Sequence, residues 1–238
     1  MPETVLETQG LTMQFGGVLA VAQVDFRMDA RELRCLIGPN GAGKSTFFKC
    51  ITGLLPPTEG QIFMRGQETT RWPSHHVASL GVGTKTQVPS VMDGLSVFEN
   101  IWLAARRFLP PRAATRKADE TITRLALGPV ARSSPGRLAH GERQHVELGM
   151  VMAGDPWLVL LDEPAAGMTG GDVERLTEIV EEFARTAAVV VVEHDMQFIR
   201  SIARTVTVFH RGAVLLEGHV DAVLADPAVR SVYLGQAA

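Results

Sequence analysis

Residues 38–46 read GPNGAGKST, which fits the pattern G-x-x-x-x-G-K-(S/T). This pattern is suited to holding phosphate. Its glycines let backbone N–H groups turn inward and approach phosphate oxygens. A helix opening near Lys44 would aim its free N–H groups and its positive dipole end at the same charge. Lys44 would reach the terminal phosphates, and Ser45 would offer a hydroxyl to Mg2+, which keeps much of its water shell. The candidate phosphate residues are Gly38, Pro39, Asn40, Gly41, Ala42, Gly43, Lys44, Ser45 and Thr46. The flanks agree: an apolar strand pattern, ELRCLIG, precedes them, and a helical pattern running to Gly53 follows.

Two further stretches carry chemistry. LVLLDEP, residues 158–164, is a buried-strand pattern that ends in two acids. Asp162 at the strand end can hold Mg2+ beside the phosphates. Glu163, one residue on, faces differently and can accept the proton of an attacking water. VVVVEHDM places His194 after another buried strand, where its ring can approach a γ-phosphate. Together these residues predict an ATP-Mg2+ hydrolase.

The rest of the chain must position these groups. Residues 4–37 show three strand-like runs, broken at Gly16-Gly17 and by an acidic stretch, as hairpin turns would break them. A short strand GQIFMRG and a helix PSHHVASLG follow the first helix. Residues 95–154 read as mostly helical, with breaks at Pro110-Pro111 and around Ser133 to Gly136, and ARRFLPPRAATRKA reads as the most loop-like part. The helix after Gly141 puts Val146, Gly149, Met150 and Ala153 on one face; residues 172–186 put Val173, Leu176, Ile179, Val180 and Phe183 on one face with glutamates opposite. Apolar strands alternating with amphipathic helices predict an α/β fold whose parallel sheet is covered on both faces. The helical stretch interrupts that alternation, and we expect one domain over 1–238 with a helical subdomain at about 90–153.

Composition narrows the class. The formal charge of −3 gives no electrostatic reason to expect nucleic acid as a partner. The N-terminus lacks the basic and apolar segments of a signal peptide, and no apolar run has spanning length, so a cytoplasmic protein that meets a membrane only through a partner is expected. Cys35 and Cys50 read as buried apolar residues rather than a disulfide or a metal pair.

The order of the motifs adds more. A phosphate loop, Gln87, a Gly-centred LAHGE at 138–142 before a helix, a strand ending Asp-Glu and a strand ending in His resemble the nucleotide-binding subunit of ATP-binding cassette (ABC) transporters over essentially the whole chain. The resemblance implies a P-loop NTPase fold with a RecA-like parallel-sheet core, an antiparallel β subdomain and a helical subdomain. It implies that Phe15 stacks on adenine, that Gln87 senses Mg2+ and the membrane subunit, that Asp162 holds the metal, and that Glu163 and His194 work with Gln87 in catalysis. Leu138, Ala139, His140, Gly141 and Glu142 would form the signature that caps the ATP of a second subunit packed head to tail, and AAGMT at 165–169 would cross that interface. Implied partners are a second ABC ATPase subunit, identical or different, permease subunits whose short helix enters a groove near Gln87, and indirectly a solute-binding protein. The chain would then sit on the inner face of the cell membrane.

More narrowly, EPAAGMT, VVVVEHDM and the ending VYLGQ are similar to the importer branch for branched-chain amino acids and urea or amides, and SVFENIWLA with Leu-x-His-Gly-Glu-x-Gln to its urea-type subunit. There are departures. Ala139 stands where the signature usually has serine; loss of one charge-assisted hydrogen bond corresponds to about 1.5–3 kcal/mol, or roughly 10- to 150-fold in rate. Thr84 and Thr86 stand where relatives usually carry Arg and Phe. A regulatory subunit with weak hydrolysis is the alternative that Ala139 favours. A soluble cassette protein of translation or DNA repair would show tandem cassettes or a long coiled-coil insertion, and neither is present.

Overall fold

The computed structural model describes residues 3–87 and 90–234. Strands β1 (Thr4–Phe15) and β2 (Val18–Asp29) form an antiparallel hairpin with Phe15 opposite Val18. Gly16 supplies the positive φ, +56°, that so short a turn requires. The sequence pattern suggested a second hairpin into the next strand, and the structure corrects this. β3 (Leu33–Ile37) leaves the antiparallel sheet and pairs in parallel with segments 188–192 and 205–210. Four of its five residues are buried, so it fits a sheet covered on both faces better than a half-exposed one.

Helix α1 (Lys44–Ile51) follows the phosphate-loop sequence, and β4 (Glu59–Met64) and β5 (Gln67–Glu68) complete an antiparallel sheet of order β2-β1-β4-β5. After α2 (Ser74–Ser79) and β6 (Val82–Lys85) comes the helical stretch of α3 (Val97–Arg106), α4 (Pro111–Arg124) and α5 (His140–Ala153). Ser96 starts α3 with a capping box: its hydroxyl accepts from Glu99 N–H, and the Glu99 carboxylate accepts from Ser96 N–H. Pro111 is the first residue of α4, where a missing N–H costs nothing. The segment read as loop-like, 105–118, is therefore mostly the end of α3 and the start of α4. The one-sided reading of α5 was also too narrow: Gln144 through Gly149 are all buried, so the helix is enclosed around most of its circumference.

β7 (Leu158–Asp162), α6 (Gly170–Thr186), β8 (Ala188–Val192), α7 (Met196–Ile202), β9 (Thr205–His210), β10 (Ala213–His219), α8 (Val220–Ala225) and α9 (Pro227–Leu234) complete the described chain. Gly235 and Gln236 of VYLGQ lie outside the described residues. The second sheet has the order β10-β9-β3-β8-β7-β6 and is parallel except for β10. Its residues alternate between two cores. Cys35, Ile37, Val159, Leu161, Val189 and Val191 pack toward the helical side with α3–α7. Leu36, Leu158, Leu160, Val190 and Val192 pack toward α1 and the antiparallel sheet. Phe47 of α1 joins the layers, with its ring 5.4 Å from Phe26 of β2 and 5.3 Å from Phe209 of β9. α6 buries Leu176, Ile179, Val180 and Phe183 as its pattern predicts. Cys35 and Cys50 are buried free thiols. No helix among the described residues is long and apolar enough to cross a membrane.

Candidate nucleotide site

Parallel strands β3, β7, β8 and β6 all end at one edge of the sheet, and the loops that leave this edge carry the chemical side chains. After β3 the chain turns through Gly38, at φ +144°, and Gly43, at φ +102°, into α1. Neither position admits a side chain: a Cβ on Gly38 would lie 2.2 Å from Phe209 O, and one on Gly43 would lie 2.3 Å from Ala20 O. The loop is held between the two sheets, with Gly212 N–H donating to Ala42 O and Ala22 N–H donating to Gly212 O. α1 has no side-chain cap and no acid in its first turn, so its N–H groups and dipole are available to an anion. Pro39 is half-buried, Asn40, Gly41 and Ser45 are exposed, Ala42 is buried and Thr46 is half-buried. The Lys44 ammonium is buried and donates to Gly38 O (2.6 Å) and Pro39 O (3.0 Å). Burial pulls its pKa below the ordinary lysine value, opposed by the nearby Glu163 and Asp162 carboxylates.

Asp162 ends β7 and is 4% exposed. Among the described residues its Oδ1 has no hydrogen-bond partner. Burial first, then the Glu163 charge, push its pKa up to about 6, against the pull of Lys49, Lys85 and Lys44. An orphaned buried carboxylate oxygen at the sheet edge that also carries the phosphate loop is a hard-oxygen donor. It suits Mg2+, which uses one or two carboxylates together with substrate phosphates.

Glu163 adopts left-handed backbone geometry, φ +46°, rare for a residue with a Cβ, with its N–H bonded to Val192 O. This turn carries its carboxylate off the strand direction and toward two partners. Gln87 Nε2 donates to Glu163 Oε2 at 3.0 Å, and His194 Nδ1 stands 3.8 Å from Glu163 Oε1. The structure thus brings Gln87, Glu163 and His194 together at the sheet edge. Phe15 lies at the end of the first hairpin, half-exposed, beside the exposed Val18 and Leu19; those two residues extend an apolar surface of which the sequence reading picked out only Phe15.

Residues Leu138 to Glu142 are placed elsewhere. Among the described residues no hydrogen bond or ion pair joins them to the phosphate loop. Ala139 stands at the N-cap of α5 and has no side-chain acceptor; Glu142 instead accepts from the Ala139 N–H at 3.1 Å. Gly141 is pressed against α6, where a Cβ would fall 2.5 Å from Asp172 Oδ2. The His140 ring lies 3.2 Å from Ala166 O, and Gln144 donates to the same carbonyl at 2.9 Å. The start of α5 is therefore tied to the 163–169 turn of its own chain.

The motif search missed three buried groups. Glu193, 1% exposed, accepts from Ala165 N–H and His194 N–H and so pins both acid-bearing turns. Lys85 and Glu147 form a buried pair between β6 and α5. Their signal was visible as charged residues inside otherwise apolar patterns. Beside them, Arg107, Phe108, Thr84, Ser90 and Met150 line a groove of about 280 Å3 between the sheet edge and the helices. Thr86 is half-buried and lines an adjoining hollow with Leu54 and His75.

A glycine-lined phosphate loop, an acid pair and a histidine on successive parallel strand ends define a P-loop ATPase of the cassette type. The ABC transporter family profile matches residues 21–166, and the chain belongs to this family as an ABC-type ATPase. It is 32% identical, over the full length of both chains, to the high-affinity branched-chain amino acid transport ATP-binding protein BraF of Pseudomonas aeruginosa. It is also 32% identical, again over the full length of both, to the corresponding protein LivG of Escherichia coli K12. Its fold matches a nucleotide-free ATP-binding cassette from an ABC transporter with a TM-score of 0.87, covering 97% of this chain and 98% of that one at 24% identity.

Proposed function

We propose that the chain is the ATP-hydrolysing subunit of a membrane importer for branched-chain amino acids or, more narrowly, urea and short amides. The observation that carries the hydrolytic part is the contact of Gln87 and His194 with Glu163 at the strand edge that also bears the phosphate loop. Gly38 to Thr46 bind the phosphates, Lys44 exchanging loop carbonyls for phosphate oxygens. Phe15, with Val18 and Leu19, stacks on the base. Glu163 takes the proton of the attacking water, Gln87 orients its carboxylate, and His194 faces the terminal phosphate. Ser45, Asp162 and Gln87 would hold Mg2+, which when bound neutralises phosphate charge.

Residues 138–142 serve the nucleotide of a second ATPase subunit; in support, the start of α5 bonds Ala166 O, and no bond among the described residues joins it to the phosphate loop. The helices within 90–153 act as a unit inserted into the single domain, and the groove beside Thr84 and Ser90 takes a short permease helix at the inner face of the membrane. Support for an amino acid cargo is the similarity to BraF and LivG; support for urea or amides is the resemblance of SVFENIWLA and of the His140–Glu142 signature. A solute-binding protein would deliver the cargo.

The test is uptake into proteoliposomes holding this chain with its permease subunits and binding protein. ATP-dependent accumulation of labelled leucine or labelled urea decides the cargo, and loss of both with Glu163→Gln ties it to this subunit. The second reading, a regulatory subunit with weak hydrolysis, is favoured by Ala139, which gives the α5 N-terminus no hydroxyl. Uptake that survives Glu163→Gln unchanged would support that reading.

A further inference from the structure

The segment that carries Gln87 is anchored at both ends to one carboxylate. On its N-terminal side, Lys85 ends β6 and sets its ammonium 3.9 Å from Glu147 Oε2. On its C-terminal side, Ser90 donates to Glu147 Oε1 twice, from its N–H at 2.6 Å and its hydroxyl at 3.1 Å. The lysine and glutamate side chains are 2% and 3% exposed, so water screens neither. Glu147 belongs to α5, two helical turns beyond His140. The same helix face region holds Gln144, which grips Ala166 in the turn after Glu163. Lys85 in turn feels several acids: burial lowers its pKa, and Glu147, Asp162, Glu193 and Glu163 raise it, in that order. A buried charge with this many partners is costly to leave unpaired.

We infer that Glu147 is a positioning residue that fixes the Gln87 segment to the signature helix, with Lys85 as its counter-ion. The inference rests on the reading of Gln87 and residues 138–142 as working elements. In it, a displacement of the Gln87 segment cannot occur without a displacement of α5, so whatever moves one moves the other. A buried carboxylate hydrogen-bonded to Ser90 through Oε1 and ion-paired with Lys85 through Oε2, an oxygen that has no hydrogen-bond partner of its own among the described residues, is a physical linkage of this kind, and changes along such linkages alter function without touching ligand.

The experiment is hydrogen exchange on the full chain, paired with Mg-ATP turnover, for wild type, Glu147→Gln, Lys85→Met, the double variant and Glu163→Gln. Glu147→Gln keeps an oxygen for Ser90 and removes the charge. Faster exchange in Glu147→Gln should appear at 86–90 and at 138–145 together, while α1 and α6 keep wild-type exchange. Turnover should fall roughly two- to thirtyfold in kcat with KM for ATP unchanged, and the double variant should be no worse than the poorer single, since it strands no buried charge. If Glu147→Gln does not fold, the double variant carries the same test. Unchanged exchange at either segment, or losses that spread over the whole chain, would overturn the linkage. Turnover insensitive to Glu163→Gln would instead sink the underlying reading of the site, with the exchange result still standing on its own.

Discussion

Two helix N-termini, of α1 and of α5, face the same electrostatic task and are built differently. Neither has a side-chain cap. The start of α1 has no acid in its first turn and carries Lys44; the start of α5 has Glu142 on its own N–H and Asp172 against Gly141. An anion approaching α1 meets free N–H groups and the Lys44 ammonium, while one approaching α5 meets an N-terminus whose Ala139 N–H is already engaged by the Glu142 carboxylate. Under the proposed function, the contrast makes the half-site for this chain's own nucleotide the one equipped for turnover and the half-site lent to another subunit the weaker one.

The comparison is broken or sharpened by a graded set of variants. The largest effect belongs to Glu163→Gln, which should lower Mg-ATP turnover at least about a hundredfold while nucleotide binding persists, since a general base contributes about 10²–10⁴. Turnover retained in that variant would remove the distinction between the two half-sites. Next comes Ala139→Ser, which restores a hydroxyl at the α5 N-cap. Steady-state turnover of a complex with two copies of this chain should rise, by up to roughly 10- to 150-fold; a flat response would show that the missing hydroxyl does not limit turnover and that the α5 half-site is not the weaker one. Phe15→Ala should raise the KM for ATP about tenfold with kcat little changed, in line with the loss of base stacking, whereas an equal fall in kcat would mean the hairpin shapes the phosphate loop.

The smallest effect is on stability. The Asp162 pKa of about 6 stands above its ordinary 3.8, so the folded state holds this proton more tightly than the unfolded chain does. That contribution is fully present below pH 3.8 and is lost as pH rises through 6, a difference of about 3 kcal/mol. In chelator at pH 8, Asp162→Asn should therefore melt a few degrees higher than wild type by calorimetry. An unchanged or lower melting temperature would mean that the surrounding lysines already compensate the ionised carboxylate.

Much of this arrangement is legible in the sequence. The phosphate loop, Asp162, Glu163 and His194 could be placed because each follows a short apolar run whose strand character is local. The pairing of β3 was not legible, since its partners lie more than 150 residues away and nothing in LRCLI names them. The enclosure of α5 was hidden for a related reason: Gln144, His145 and Glu147 interrupt its apolar pattern, yet tertiary contacts bury them. The left-handed turn at Glu163 carries no sequence mark either, because glycine, the usual residue for such a turn, is absent there.

Ala20 O against Gly43, and the Ala22–Gly212–Ala42 chain of backbone bonds, have a metric consequence. They lock the hairpin that ends in Phe15 to the phosphate loop without an intervening hinge. If Phe15 stacks on the base as proposed, the base and the nearer phosphates of a nucleotide are gauged against a fixed calliper. A ligand with a longer sugar linkage would satisfy one jaw only by leaving the other, whereas loss of the terminal phosphate leaves the span unchanged.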